Sequence, residues 1–190
     1  MDPVYARLVE LNEAAPVNPD AIHAFMVDEY EGLDPADPRS YNAYLRERVF
    51  APLQLTHVHP MNEATYERTI KAVGGIDLQM LGLGLNGHIG FNEPGSSRDS
   101  RTRKVEIAQA TRQANSTLFA GLEEVPTHAV SIGIATILDA KEIWVLASGA
   151  SKKKIVKELN RAKVSSQLPA SFLKEHPKTT LFLDKESAGE

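Results

Sequence analysis

The sequence contains no cysteine. That excludes disulfides, zinc–thiolate sites and a thiol nucleophile, and it suits a reducing compartment such as the cytoplasm. No apolar run reaches the length of a membrane span, and the N-terminus has no basic-then-apolar leader pattern, so a membrane partner is not expected. Positive charge is not in excess either: 21 Lys and Arg against 25 Asp and Glu give a formal net charge of −4. Nucleic acid is therefore not an expected partner. Aromatic residues are sparse, and the one tryptophan, Trp144, sits in a strand pattern that suits a core position. What remains is ordinary: 42% apolar and 24% charged residues over 190 positions, the profile of a single folded domain spanning 1–190 with a substantial core.

The apolar periodicity alternates between helix and strand. Val4 to Leu11 reads as an amphipathic helix and Ile22 to Val27 as a buried strand ending at Asp28-Glu29. Pro35 and Pro38 make residues 32–38 a loop, and Ser40 is placed to cap a helix from Tyr41 to about Phe50. His57 to Met61 reads as a loop, Asn62 to Val73 as a charged helix, and Ile76 to Leu81 as a strand. Residues 82–115 read as irregular. A helix is expected near 127–139, a strand at Glu142 to Ala147, a helix from Lys152 to Arg161, a helical turn from Pro169, and a strand at Thr179 to Leu183. This alternation predicts an α/β fold: a three-layer, Rossmann-like, mainly parallel sheet with helices on both faces. Ligands of such sheets bind beyond the carboxyl ends of the strands, and Asp28, the glycine-rich loop after residue 81 and Gly149 to Lys152 all fall at such ends.

Gly82-Leu83-Gly84-Leu85-Asn86-Gly87 formally matches a dinucleotide-binding fingerprint. That fingerprint needs its third glycine to open a helix, and here the chain continues His-Ile-Gly-Phe-Asn-Glu-Pro-Gly. Gly90, Pro94 and Gly95 oppose a helix, and the acidic residue expected about 20 positions on is replaced by Arg101, Arg103 and Lys104. The other reading is a loop that presents His88 and Glu93 at a pocket. An imidazole moves protons near neutral pH, and a carboxylate orients it. Residue types alone leave that open against a turn-capping histidine and a solvated glutamate. His57 and His59 lack cysteine or carboxylate neighbours at metal-ligand spacing, so no metal is expected. Lys153, Lys154 and Lys157 read as a solvated helix face.

The string Asn86-Gly87-His88-Ile89-Gly90-Phe91-Asn92-Glu93-Pro94-Gly95-Ser96-Ser97 resembles the glucosamine-6-phosphate deaminase/isomerase family. Val27-Asp28-Glu29-Tyr30, Ser40-Tyr41, Ala114-Asn115-Ser116, Gly149-Ala150-Ser151-Lys152 and Pro169-Ala170-Ser171 continue the match in order, and galactosamine-6-phosphate isomerases share much of it. The resemblance implies conversion of glucosamine 6-phosphate to fructose 6-phosphate and ammonia, without metal or redox cofactor, by a cytoplasmic enzyme, with a homo-oligomer left open as its assembly. It implies Asp28 as the base between C2 and C1, and His88 with Asn86 and Glu93 as the ring-opening group. It further implies Lys152 as a phosphate ligand, with Gly82, Gly84, Gly87 and Gly90 lining the substrate. A galactosamine-6-phosphate isomerase/deaminase is the first alternative, followed by a 6-phosphogluconolactonase-like hydrolase and a silent sugar-phosphate binder.

Three features depart from the family pattern. Asn86 stands where one branch carries Asp. Thr117 stands where an Arg often grips phosphate, and it offers one neutral hydrogen bond in place of a bidentate charge. The family's earlier strand and Gly-Ser-Thr-Pro-type loop are not seen, so the chain is expected to be N-terminally truncated and to bind substrate weakly. Ser96, Ser97 and Arg103 match effector-site positions of some relatives, but Val105 replaces a lysine of that pattern and leaves allostery unsupported.

Overall fold

A computed structural model describes residues 1–189. In chain order the regular elements are α1 (Asp2–Ala14), β1 (His23–Phe25), β2 (Asp28–Tyr30), α2 (Tyr41–Leu45), β3 (His57–His59), α3 (Tyr66–Ala72), β4 (Leu78–Gly82), β5 (Arg103–Glu106), α4 (Gln109–Asn115), β6 (His128–Ser131), α5 (Ile134–Leu138), β7 (Glu142–Ala147), α6 (Lys153–Arg161), β8 (Thr179–Leu183) and α7 (Lys185–Ala188). They form two compact units, one from Met1–Asn62 with Glu106–Val130 and one from Glu63–Val105 with Ser131 onward.

In the first unit β1 and β3 run parallel, with His23 opposite His57 and Phe25 opposite His59. Met26, Val49, Phe50 and Leu53 form its buried cluster, and Tyr5 and Val9 of α1 close over it. Ser40 caps α2 as its type predicts, its hydroxyl accepting from Ala43 N–H at 3.0 Å. The carboxylate of Glu29 accepts from the next two free amides, Tyr41 N–H at 3.1 Å and Asn42 N–H at 2.8 Å, and its negative charge suits a helix N-terminus. A π-helical turn, Arg46–Phe50, prolongs α2 and carries Val49 and Phe50 into the cluster.

The second unit is built on β4, β7 and β8, all parallel with β7 central; Met80 faces Trp144, and Val145 faces Leu181. Ile143, Val145 and Ala147 of β7 are buried, as are Ile155, Val156 and Leu159 of α6. Four residues of α5, Ile134 to Ile137, are buried too, and the amides that open this helix find partners in Ser100. Its hydroxyl accepts from Ile134 N–H and its carbonyl from Ala135 N–H, each at 3.0 Å. Gly133 permits that approach, because a Cβ there would lie 2.0 Å from the Ser100 carbonyl oxygen. Glu67 of α3 accepts from Thr102 N–H, Thr102 Oγ1 and Thr136 Oγ1, tying α3 to α5.

The strands Glu142–Ala147 and Thr179–Leu183 occupy the expected residues. Elsewhere the structure differs. The strand expected over 22–27 is two short strands, because the chain leaves β3 at Met26 and enters a different sheet beside β6 at Asp28. Asp28 therefore begins a strand instead of following one. His57 to His59 is strand, not loop. The irregular stretch 82–115 ends in β5 and α4, and the helix expected at 127–139 is a strand followed by a helix. In that case Ile132, Ile134 and Ile137 imitate helical spacing, while Ala129 and Ser131 are buried in alternation along β6.

Replacing Gly133 by Ala should destabilise the protein by about 2 kcal/mol or more, since the added methyl meets backbone and not a side-chain tip. Urea denaturation measures it, and an unchanged midpoint would contradict the close approach at Ser100.

Candidate active site

The alternating pattern of β4 delivers the chain at Gly82 into a loop that folds back on itself. Gly84 N–H donates to the His88 carbonyl at 2.9 Å and Gly87 N–H to the Gly84 carbonyl at 3.0 Å. Gly87 and Gly90 take positive φ angles of 83° and 56°, which side chains disfavour. No helix follows Gly87, so the loop lacks the helix N-terminus that a dinucleotide pyrophosphate requires. Gly84 has a different role. The His88 ring lies against it so closely that a Cβ would be 2.3 Å from His88 Cε1. A Cβ on Gly82 would meet nothing within 4 Å.

The loop brings Asn86, His88 and Glu93 together. Asn86 Nδ2 donates to Glu93 Oε2 at 2.7 Å. Asn86 Oδ1 lies 2.7 Å from His88 Nδ1 and also accepts from His88 N–H at 3.2 Å. Glu93 Oε2 is 3.6 Å from His88 Nδ1. These contacts dictate where the proton sits. A carboxylate only accepts, so the amide must turn its NH2 toward Glu93 and its oxygen toward His88; that oxygen only accepts, so Nδ1 carries the hydrogen. The neutral imidazole then offers an unprotonated Nε2. Burial holds the His88 pKa below its usual value, the Glu93 carboxylate opposes that shift, and the Lys152 ammonium adds to it. Glu93 is partly buried, and its second oxygen, Oε1, is itself buried without a hydrogen-bond donor among the described residues.

Lys152 lies just ahead of α6 in the turn that starts at Gly149, whose φ is 86°. Its Nζ donates to the Leu83 carbonyl at 2.6 Å, and burial lowers its pKa. The positive end of the α6 dipole adds to the lysine charge, while the amides ahead of the helix are already engaged: Gly149 N–H donates to Asp184 Oδ2 at 2.9 Å and Ala150 N–H to Glu186 Oε2 at 3.1 Å.

Asp28 belongs to the first unit. Burial, and secondarily the Glu29 carboxylate, push its pKa up to about 7. Glu29 turns the other way, toward the start of α2, in keeping with strand alternation. The Tyr41 phenol is pushed well above its usual pKa by burial and then by Asp28. Tyr30 stacks on Tyr41 at 5.2 Å and its hydroxyl accepts from Asn115 Nδ2 at 2.8 Å. Thr117 is exposed in a short turn after α4.

His57 and His59 stand beside His23 in a row: His57 stacks on His23 at 4.6 Å, and His23 Nδ1 lies 3.0 Å from His59 Nε2. Among the described residues no three His, Asp or Glu side chains converge as a metal site. A surface recess of about 560 Å³ lined by Asp34, Pro35, Asn42, Arg46 and Glu47 contains none of the candidate residues. Asn92, which is fully buried, is not among the residues expected at the site from the sequence. Its signal was an amide embedded between Phe91 and Glu93, where an apolar residue or a turn former was the default.

Replacing Gly84 by Ala should push the His88 ring off Asn86 Oδ1 while leaving the fold intact, because the methyl meets only a side chain. The 15N shifts of the imidazole measure this, and an unchanged Nδ1–H signal would contradict it.

Residues 1–182 match the family model described as glucosamine-6-phosphate isomerases/6-phosphogluconolactonase. A glucosamine-6-phosphate deaminase of Rhodopirellula baltica is 45% identical over 196 residues, covering 97% of this chain and 78% of that one. One from Bacillus velezensis is 40% identical over 197 residues, covering 98% and 82%. The solved structure of a monomeric glucosamine-6-phosphate deaminase is 36% identical and superposes with a TM-score of 0.93, covering 99% of this chain and 83% of that one. A 6-phosphogluconolactonase from Thermotoga maritima, 22% identical with a TM-score of 0.73 over 95% of this chain and 79% of that one, shares the fold alone. The expected mainly parallel α/β architecture holds, and the chain belongs to the glucosamine-6-phosphate isomerase/6-phosphogluconolactonase family.

Proposed function

We propose that this protein is an amino-sugar 6-phosphate deaminase/isomerase that converts glucosamine 6-phosphate and water to fructose 6-phosphate and ammonia. The observation that carries this reading is the Asn86–His88–Glu93 arrangement, which leaves His88 Nε2 free to accept a proton. The deaminase relatives at 40–45% identity support it. His88 takes the proton of the anomeric hydroxyl and returns it to the ring oxygen, opening the sugar and regenerating neutral imidazole. Asp28 then removes the C2 proton while the C1 oxygen gains one from the adjacent ammonium, forming an enolamine. The same carboxyl returns its proton to C1, leaving a C2 iminium; water adds there and ammonia leaves. The route needs no metal or redox cofactor.

Lys152, beside the N-terminus of α6, is assigned to the phosphate dianion. The reading takes residues 1–190 as one catalytic domain acting in the cytoplasm, in keeping with the absence of cysteine and of any described helix long and apolar enough to cross a membrane. A lactonase on this fold would not need a C2 base. The raised pKa of Asp28 favours the isomerase reading, because a carboxyl titrating near neutrality both takes and returns a proton.

Three outcomes follow. Replacing Asp28 by Asn should reduce ammonia release from glucosamine 6-phosphate by about 10³-fold or more; a loss below tenfold would remove Asp28 from the mechanism. For the wild type, kcat/KM should rise about tenfold per pH unit up to about pH 7 and then level, since Asp28 must be ionised; a flat profile between pH 5 and about 8 would contradict that role. The same group governs stability. The fold holds the Asp28 proton up to about pH 7 whereas the unfolded chain releases it near 3.8, so its contribution is fully present below about pH 4 and is lost as pH rises through about 7. Asp28→Asn should therefore raise the Tm at about pH 8 by several degrees and leave it little changed near pH 4; equal Tm values at the higher pH would overturn the assignment.

A further inference from the structure

The His88 proton is placed by Asn86, and Asn86 is placed by Glu93. What places Glu93 is the residue before it. Asn92 is completely buried, in a tight turn where its own N–H donates to the Ile89 carbonyl at 3.2 Å. Both hydrogens of its side-chain amide are used: Nδ2 donates to the Ile89 carbonyl at 2.9 Å and to the Ile132 carbonyl at 2.8 Å. The second bond fastens the turn to the segment that follows β6. A parallel link runs from Phe91 N–H to Ser131 Oγ at 3.1 Å, and that hydroxyl donates to the Ile132 carbonyl at 3.1 Å. The backbone position from which the Glu93 side chain departs is therefore held on two sides.

The orientation of the Asn92 amide is imposed in turn. Arg103 Nη1 donates to Asn92 Oδ1 at 2.9 Å, and a guanidinium can only donate. It forces the oxygen of Asn92 toward itself and the NH2 toward the two carbonyls. Arg103 is half-buried, its pKa is lowered by that burial, and its remaining contacts, Ser96 Oγ at 3.4 Å and the Arg101 carbonyl at 3.4 Å, are neutral. The same logic of obligatory donors and acceptors thus operates twice, once from Arg103 into Asn92 and once from Glu93 through Asn86 into His88.

We propose that Asn92 is a positioning residue for His88, with Arg103 orienting it: their hydrogen bonds hold the Ile89–Glu93 turn so that Glu93 and Asn86 keep His88 in its Nδ1–H form. The consequence for turnover rests on the deaminase reading; the consequence for the imidazole does not. Removing the Arg103 bond leaves the buried Asn92 oxygen without a donor, and converting Asn92 to Asp turns both donated bonds into repulsions. Either change lets Glu93 drift from Asn86, and the imidazole becomes free to move its proton to Nε2, which then has no lone pair for the sugar hydroxyl.

The test uses 15N-histidine-labelled protein, with the His88 signals assigned through His88→Gln, in the wild type, Asn92→Asp, Arg103→Met and Arg103→Lys. The wild type should show His88 predominantly as Nδ1–H. Asn92→Asp and Arg103→Met should populate Nε2–H and lower kcat by about 10- to 100-fold with KM changed less than about threefold. Arg103→Lys, which keeps one donor toward Asn92 Oδ1, should restore most of both. Arg103→Met leaves the carbonyl bonds of Asn92 in place, so it decides the matter should Asn92→Asp fail to fold. Wild-type nitrogen shifts and wild-type kcat in a folded Arg103→Met would overturn the proposal and leave the deaminase reading untouched. Shifted tautomers in a protein whose wild type releases no ammonia would uphold the positioning role and remove the deaminase reading.

Discussion

A single amide decides the chemistry of the loop. Asn86 stands between a carboxylate that can only accept and an imidazole that can donate from either nitrogen. Because the carboxylate claims the NH2, the imidazole must meet an oxygen, and its hydrogen is drawn to Nδ1. A carboxylate at position 86 would instead stabilise the charged imidazolium. An amide leaves the ring neutral, in line with burial and the nearby Lys152 ammonium, which both disfavour its positive charge. On the proposed reading Asn86 is a workable variant of the family pattern, with His88 beginning the cycle as a proton acceptor. The geometry around it serves this arrangement: Gly84 has no side chain so that the ring can lie flat against the backbone, and Gly87 and Gly90 turn the chain sharply enough for residues seven apart to touch.

Asp28 illustrates the opposite use of burial. The same desolvation that keeps His88 neutral keeps Asp28 protonated up to about pH 7. A carboxyl in that range exchanges its proton readily with carbon acids and with solvent, whereas one near 4 is a weak base. The cost falls on stability, since ionising a buried carboxyl beside Glu29 is unfavourable. Glu29 has its own reason to be there: it closes the N-terminus of α2 by accepting from Tyr41 and Asn42 amides. One acidic pair thus divides its labour by strand alternation, with one member capping a helix and the other facing the opposite way.

The sequence was most readable where a single force dominates. Glu142–Ala147 and Thr179–Leu183 are strands of the parallel β4–β7–β8 sheet, and their apolar runs read as strands. Ser40 capped the helix its residue type announced. Reading failed where two elements meet. Gly133 separates a strand from a helix, yet the isoleucines on either side suggest one continuous helix; the deciding contact, Ser100 against Gly133, lies about 30 residues away in sequence and leaves no local mark. The break between β1 and β2 is similar, since only the change of sheet partner explains it. In the site, His88 and Glu93 were legible by residue type and Asn86 by its place in the string. Asn92 was not, because its importance lies in bonds to Ile132 and Arg103, 40 and 11 residues away in the chain.

In the proposed reaction a carboxylate moves the C2 proton of an amino sugar to C1 after an imidazole opens its ring. The most direct test is to supply glucosamine 6-phosphate deuterated at C2 and locate the label in the products by NMR. Deuterium should leave C2, with part of it appearing at C1 of fructose 6-phosphate on one face only and the rest entering solvent through the exchangeable carboxyl. Deuterium retained at C2, with no ammonia released, would contradict it.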